Sequence, residues 1–408
     1  MSVPKLRFKA FDGDWYETLF QDLFIFKNGV NASKEQYGSG IKFINVLDII
    51  NNPNGITYDS IIGSVNITSK EIDKNLVKYG DVLFQRSSET REEVGQSNVY
   101  LGKDPVVFGG FVIRGSAQKE YDPIFMNGLL KTDSLRDQIT QLSGGSTRFN
   151  IGQDSLNKVS TYLPLKEEQT KIASFLSAVD EKISQLTQKH ELLSQYKQGM
   201  MQKLFSQQIR FKADDGSEFG EWEEKTLNEI ASKQSHKNKD DSITEVLTNS
   251  ATQGIIKQSD YFDREIVTES NLNGYYIVNL NDFVYNPRIS VHAPVGPIKR
   301  NKKCLGVMSP LYTVFTVKEG DLTYLEYFFD SNFWHDYVKS VANSGARHDR
   351  MNITNKDFFD MPILYPCREE QTKIANFLSS IDQKIEVVTQ QIEQAKMWKK
   401  GLLQQMFV

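Results

Sequence analysis

The chain has 408 residues, more than the ~250–300 at which a single hydrophobic core stops growing, so more than one domain is expected. Hydrophobic residues make up 39%, charged residues 25% and aromatic residues 11%, a balance that excludes a disordered or fibrous chain. With 52 acidic against 48 basic residues the net charge is −4, so binding to nucleic acid has to rest on local patches.

The opening "MSVPKLRFKAFDGDWYETLF" has no apolar segment behind its basic start, so no secretory signal is expected. No stretch approaches the ~18 apolar residues that a membrane span needs. Cys304 and Cys367 stand far apart without partners at metal-ligand spacing, which fits reduced thiols in a cytoplasmic protein. Residues 1–160 carry short β-branched and aromatic runs broken by Gly, Asn and Pro. Examples are "IKFINVLDI" (41–49), "YGDVLFQR" (79–86) and "PVVFGGFVIRG" (105–115). They lead to "QITQLSGGSTRFNIGQ" (138–153), an acid-free, glycine-rich loop that includes Gly144, Gly145, Thr147 and Arg148. This segment reads as an α+β domain.

Residues 161–206 read as one long helix. Ile172, Leu176, Val179, Ile183, Leu186, His190, Leu193, Lys197, Met200 and Leu204 recur at alternating steps of four and three, the seam of a coiled coil. The helix should start just after Pro164, with Glu167 and Glu168 at the end where the helix dipole favours acid. Ser177 and Asp180 leave open whether it is one piece or two collinear ones.

Residues 207–362 form a second α+β segment, with strand-like runs at 273–280 and 306–317 and a helical patch at 324–341. Between 283 and 318 it has no acid but contains Arg288, His292, Lys299, Arg300, Lys302, Lys303 and Lys318. Near its end, "NSGARHDRMNI" (343–353) offers Arg347, His348 and Arg350. Residues 363–408 are again one long helix after Pro366. Its seam opens with Ile374, Leu378, Ile381, Ile385 and Val388 and continues through Ile392, Ala395, Lys399, Leu402 and Met406.

The two helices belong to a repeat. "EEQTKIASFLSAVDEKI" (167–183) and "EEQTKIANFLSSIDQKI" (369–385) agree at 13 of 17 positions with an offset of 202. "TRFNI" (147–151) faces "DRMNI" (349–353), and each half opens on an echo, "LRFK" (6–9) and "IRFK" (209–212), followed by Trp15 and Trp222. The chain is a tandem duplication with similar frames and different contents.

Catalytic signatures are missing. No glycine-rich phosphate loop follows a strand, and the five histidines have no zinc-ligand spacing. "NPRIS" (286–290) has Arg288 where an amino-methyltransferase motif would need a second proline, and no cofactor motif precedes it. Glycine-rich loops with Arg, Thr and Asn suit close approach to phosphates and hydrogen bonding to base edges. No metal site is expected.

The duplicated "EEQTKIA" helices, "YGDVLFQR" and the "SGGSTRFNI" loop resemble the specificity subunit of type I restriction–modification systems. The resemblance implies two pseudo-symmetric target-recognition domains, 1–160 and 207–362, separated by two antiparallel coiled-coil spacer helices, 161–206 and 363–408. It implies that the chain is not an enzyme but reads double-stranded DNA, each domain taking one half of a bipartite site. Arg86, at the end of "YGDVLFQR", joins the DNA-binding candidates on this basis. The helices would set the spacer and dock two methyltransferase subunits, which restriction subunits then join. S-adenosylmethionine, ATP and Mg would belong to those partners and no cofactor to this chain. Two other readings are the specificity subunit of a combined nuclease–methyltransferase, and a coiled-coil scaffold with two protein-binding heads.

Overall fold

The computed structural model describes residues 3–261, 272–343 and 349–408. It divides into two compact units, each α+β. Unit 1 comprises 1–189 and 388–408, and unit 2 comprises 190–387. The first long helix is continuous from Lys166 to Phe205 and the second from Arg368 to Met406, so neither breaks near the serine–aspartate positions.

The central sheet of unit 1 has four antiparallel strands in the order Phe24–Asn28, Val112–Ala117, Val82–Gln85, Ser97–Val99. Unit 2 repeats that order with Ala231–Lys233, Thr313–Val317, Phe283–Tyr285 and Ile298–Arg300. Register repeats too: Val82 lies between Val99 and Gly115, and Phe283 between Arg300 and Phe315. A second strand pair ties the two ends of each domain together, Tyr16–Leu19 with Ser160–Leu163 and Glu223–Thr226 with Pro362–Tyr365. Both long helices start directly behind such a pair. Outside this frame the units differ. Unit 1 adds Tyr37–Ile44 flanked by Ser64–Val65 and Val107–Phe108, whereas unit 2 adds a hairpin of Leu247–Ser250 and Gly254–Lys257.

The chemistry that joins frame to helix explains why "EEQ" occurs twice. Glu168 is 2% exposed and accepts two hydrogen bonds from the Arg7 guanidinium, both 2.7 Å. Glu370 is 0% exposed and accepts from Arg210 Nε at 3.1 Å, Arg210 Nη2 at 2.7 Å and Trp222 Nε1 at 2.9 Å. A buried carboxylate is tolerated only when paired in this way. The next residue is a backbone clamp. Gln169 donates to the Pro164 carbonyl and accepts from the Asp122 amide, both 2.9 Å, and Gln371 does the same with Pro366 and Asp321 at 2.8 and 2.7 Å. Asp122 and Asp321 in turn cap the helices Pro123–Leu129 and Leu322–Asp330. The echo at the start of each half thus supplies the arginine. It also supplies Phe8 and Phe211, whose rings pack edge-on against Phe175 and Phe377 at 5.8 and 5.7 Å.

None of the twenty seam positions is exposed. In unit 1, Ile172, Leu176 and Val179 share a core with Leu402, Met406 and Phe407. In unit 2, Ile374, Leu378 and Ile381 share one with Met201, Leu204 and Phe205. In both units the opening half of one long helix therefore lies beside the closing half of the other. Phe407 meets Phe125 and Trp15 at 5.1 and 6.5 Å, and Phe205 meets Tyr324 and Phe328 at 5.6 and 5.8 Å. The lysines in the seam are neutralised reciprocally. Lys399 pairs with Asp180 at 2.5 Å in unit 1, and Lys197 with Asp382 at 2.7 Å in unit 2. Asp382 also accepts from the Tyr327 hydroxyl at 2.6 Å; burial, reinforced by that carboxylate, pushes the phenol well above its usual range.

Removing Arg210 strands the Glu370 charge in the interior. Arg210→Ala is expected to destabilise unit 2 by about 3 kcal/mol in urea unfolding. Combining it with Glu370→Gln removes the stranded charge, so the double variant should be the more stable of the two.

Candidate nucleic-acid interface

In unit 1 the strand Val82–Gln85 continues through Arg86 into Ser87–Ser88, which pairs antiparallel with Phe149–Asn150. The Arg86 carbonyl accepts from the Ile151 amide at 3.0 Å, and its guanidinium reaches the Gly110 carbonyl at 3.4 Å. Gly144 and Asn150 exchange backbone hydrogen bonds of 2.9 and 2.8 Å, closing a loop whose tip is Gly145–Arg148. Gly144, Gly145, Thr147 and Arg148 are all exposed. The tip needs glycine at 145: its φ is +124°, and a Cβ there would lie 2.1 Å from the Arg148 carbonyl oxygen. The segment that opens with Arg86 and the loop that holds Arg148, about sixty residues apart in the chain, are thus joined by one strand pair.

Unit 2 builds the same junction from other residues. Behind Phe283–Tyr285, the Pro287 carbonyl accepts from the Met351 amide at 2.9 Å and the Ile289 amide donates to the Asp349 carbonyl at 3.0 Å. Arg288 therefore faces Arg350 across an antiparallel bridge; in unit 1 Ser87 faces Asn150, two places further along the repeated stretch. Arg288, His292 and Arg350 line one cleft of about 620 Å³, together with Thr248, Asn249 and Tyr312. Two arginines and an imidazole beside neutral donors and acceptors can bind phosphate oxygens and read purine edges. Arg347 and His348 lie outside the described residues.

Lys302 and Lys303 sit elsewhere, away from that cleft. The acid-free run 283–318 acquires acids from other segments as the chain folds. Lys302 pairs with Glu326 at 2.7 Å, Lys299 with Asp330 at 2.6 Å, and Lys303 stands 3.9 Å from Asp260. The basic stretch of the sequence is therefore largely neutralised in the fold. The seam residues Ile172, Leu176, Val179, Ile183 and Leu186, with Ile374, Leu378, Ile381, Ile385 and Val388, are buried or half-buried, so it is the outer faces of the helices that meet solvent.

Sequence reasoning missed Phe111 and Leu311, which stand 65% and 59% exposed at matching places just before the strands Val112–Ala117 and Thr313–Val317. Phe111 lies inside a run that reads as one buried strand, so no pattern set it apart. Among the described residues no group of three or more His, Cys, Asp or Glu could hold a metal ion, and no helix is long and apolar enough to cross a membrane.

A twice-built strand junction with an arginine loop, each carried in front of a long helix, defines a duplicated recognition module. The family model "Type I restriction modification DNA specificity domain" matches residues 13–195 and again 220–397, and the chain belongs to that family. It is the DNA specificity subunit of a type I restriction–modification system, the member that is not itself catalytic. It is 27% identical to a protein of Methanocaldococcus jannaschii provisionally named as the specificity subunit of type I restriction enzyme MjaX, over 96% of this chain and 92% of that one. The MjaVIII specificity subunit of the same organism is 26% identical over 83% of this chain and 80% of its own length. Among solved structures, the S subunit from M. genitalium has a similar fold, with a TM-score of 0.53 at 16% identity and coverage of 100% and 99% of the two chains.

The glycine pair yields a test. Gly145→Ala is expected to distort the tip that presents Arg148, at a local cost of about 1–3 kcal/mol, and to weaken DNA binding by the assembled complex. A Cβ at Gly144 meets open space, so Gly144→Ala should leave the backbone of the tip as it is in the parent and should weaken binding less than Gly145→Ala. Thermal melting of Gly144→Ala should stay near the parent, and Gly145→Ala should lower it only by the few degrees that this local cost accounts for.

Proposed function

We propose that each unit reads one half of a bipartite duplex site in the major groove, with residues 1–160 and 207–362 doing the reading. The observation that carries this reading is the doubled junction: the segment that follows the central strand, with Arg86 in one unit and Arg288 in the other, pairs antiparallel with the stretch at the loop arginine, Arg148 or Arg350. Thr147 and the backbone of Gly144 and Gly145 would approach phosphates in unit 1, and His292 would stand beside the two arginines in unit 2. Arg347 and His348 extend the same loop in the sequence. Lys302 and Lys303 are assigned to phosphates rather than bases, contacts for which Lys302 has to exchange Glu326 and Lys303 to turn from Asp260.

The long helices, 161–206 and 363–408, act as the spacer between half-sites and dock two methyltransferase subunits, one at each end, which restriction subunits then join. Reciprocal Asp180–Lys399 and Asp382–Lys197 pairs support two equivalent docking ends. S-adenosylmethionine, ATP and Mg are held by those partners, and the complex works in the cytoplasm.

Methylated-motif sequencing tests the assignment. Arg148→Ala should relax one half-site and Arg350→Ala the other, each by about 1–3 kcal/mol if the contact is a bidentate pair with a base. Lys302→Ala should weaken all duplexes alike and lower the salt slope by about 1. Lengthening both long helices by four residues at their midpoints adds ~6 Å, so the spacer should grow by roughly one or two base pairs while both half-sites stay unchanged.

A further inference from the structure

We propose that unit 1 reads thymine, through a cleft in which Phe111 meets 5-methyl groups in the major groove. The inference rests on the reading that the units contact duplex DNA and adds what unit 1 selects. The cleft has a volume of about 660 Å³, and no residue lining it is charged. Four large apolar side chains face solvent from its walls: Tyr37, Leu47, Ile62 and Phe111, the least exposed at 46% and the most at 95%. Such a cluster marks a surface that a partner covers.

Continuity identifies the partner. The Phe111 carbonyl accepts from the Arg86 amide at 2.8 Å, and the neighbouring Gly110 carbonyl lies within reach of the Arg86 guanidinium. The wall of the cleft is hydrogen-bonded to Arg86, the residue that opens the junction, so a duplex held at the junction extends over the cleft. The repeat says the same. With Gly115 and Phe315 in register opposite the central strand, Phe111 corresponds to Leu311, which lines the cleft of Arg288, His292 and Arg350 in unit 2.

The chemistry then narrows to one base. Among the groups that base pairs present in the major groove, only the thymine methyl is apolar. At Phe111 guanine would turn O6 and N7 toward a ring that offers no donor and lose their water, whereas a methyl gains by leaving water. Glycine keeps Phe111 in place: a Cβ at Gly109 would come 2.7 Å from the Phe43 ring, forcing the loop away.

The test uses the assembled complex and the motif it methylates. Each thymine in both half-sites is replaced singly by deoxyuridine, and competition binding is measured against the unmodified duplex. Loss of affinity at one or more positions of a single half-site, about fourfold per methyl removed, supports the proposal. In the complex carrying Phe111→Ala, an exposed position whose truncation leaves no cavity, thymine and uracil duplexes should bind equally. Leu311→Ala should preserve the difference. Indifference to uracil throughout overturns the thymine inference while leaving DNA reading intact, as does a difference that survives Phe111→Ala. If Phe111→Ala instead releases a subunit, the cleft docks protein and the inference falls. A wild-type complex that does not prefer its own motif to a scrambled duplex overturns both.

Discussion

The structure depends on one constraint: each unit closes its core with the end of a helix whose beginning lies in the other unit. Phe407 fills the interior beside Trp15 and Phe125, and Phe205 fills the interior beside Tyr324 and Phe328. Fully burying a phenylalanine contributes about 1.5–3 kcal/mol, a sizeable part of a domain's net stability. The buried Glu168–Arg7 and Glu370–Arg210 pairs then fix the angle at which each helix leaves its own domain. Those carboxylates are less a source of stability than a condition on geometry, because each is tolerated only while its arginine is in place.

That anchoring lets the recognition surfaces differ freely. The four-stranded sheet, the strand pair that ties the domain ends and the helix caps repeat between units, while the peripheral strands do not. One cleft is lined by two arginines and a histidine, the other by uncharged residues. Both are reached from the same junction on the same frame, so a change of contents leaves the helix anchors untouched. On the proposed reading, the specificity of such a subunit resides in parts that carry little of its architecture.

The helices were legible because a 3.5-residue period survives the loss of most other likeness, and because a lysine in an apolar seam implies a partner. The sequence could not say that the partner is the aspartate eleven places after the other helix's "EEQ". Nor could it say that the helix runs unbroken past Asp180, since a polar residue mid-seam fits a break or a salt bridge equally well. The echoes "LRFK" and "IRFK" were visible, but their role was not, since Arg7 and Glu168 are 161 residues apart. At the recognition surface, local sequence was a poor guide to charge. The acid-free run 283–318 owes its near neutrality to Glu326, Asp330 and Asp260, none of them within it. Phe108 and Phe111 illustrate the same limit: three residues apart in one apolar run, one is fully buried and the other faces solvent.

The unequal composition of the two units has a consequence for how the molecule comes into being. Unit 2 is a single stretch, 190–387, whereas unit 1 needs 1–189 and then 388–408. A ribosome working from the amino end therefore delivers every part of the second unit before it has finished the first. Until Leu402, Met406 and Phe407 emerge, the core around Trp15 and Phe125 has an open side, and the half of the molecule made earliest is the last to be completed. Folding and synthesis run in opposite orders, so the first recognition unit depends on its own last few residues for a finished interior.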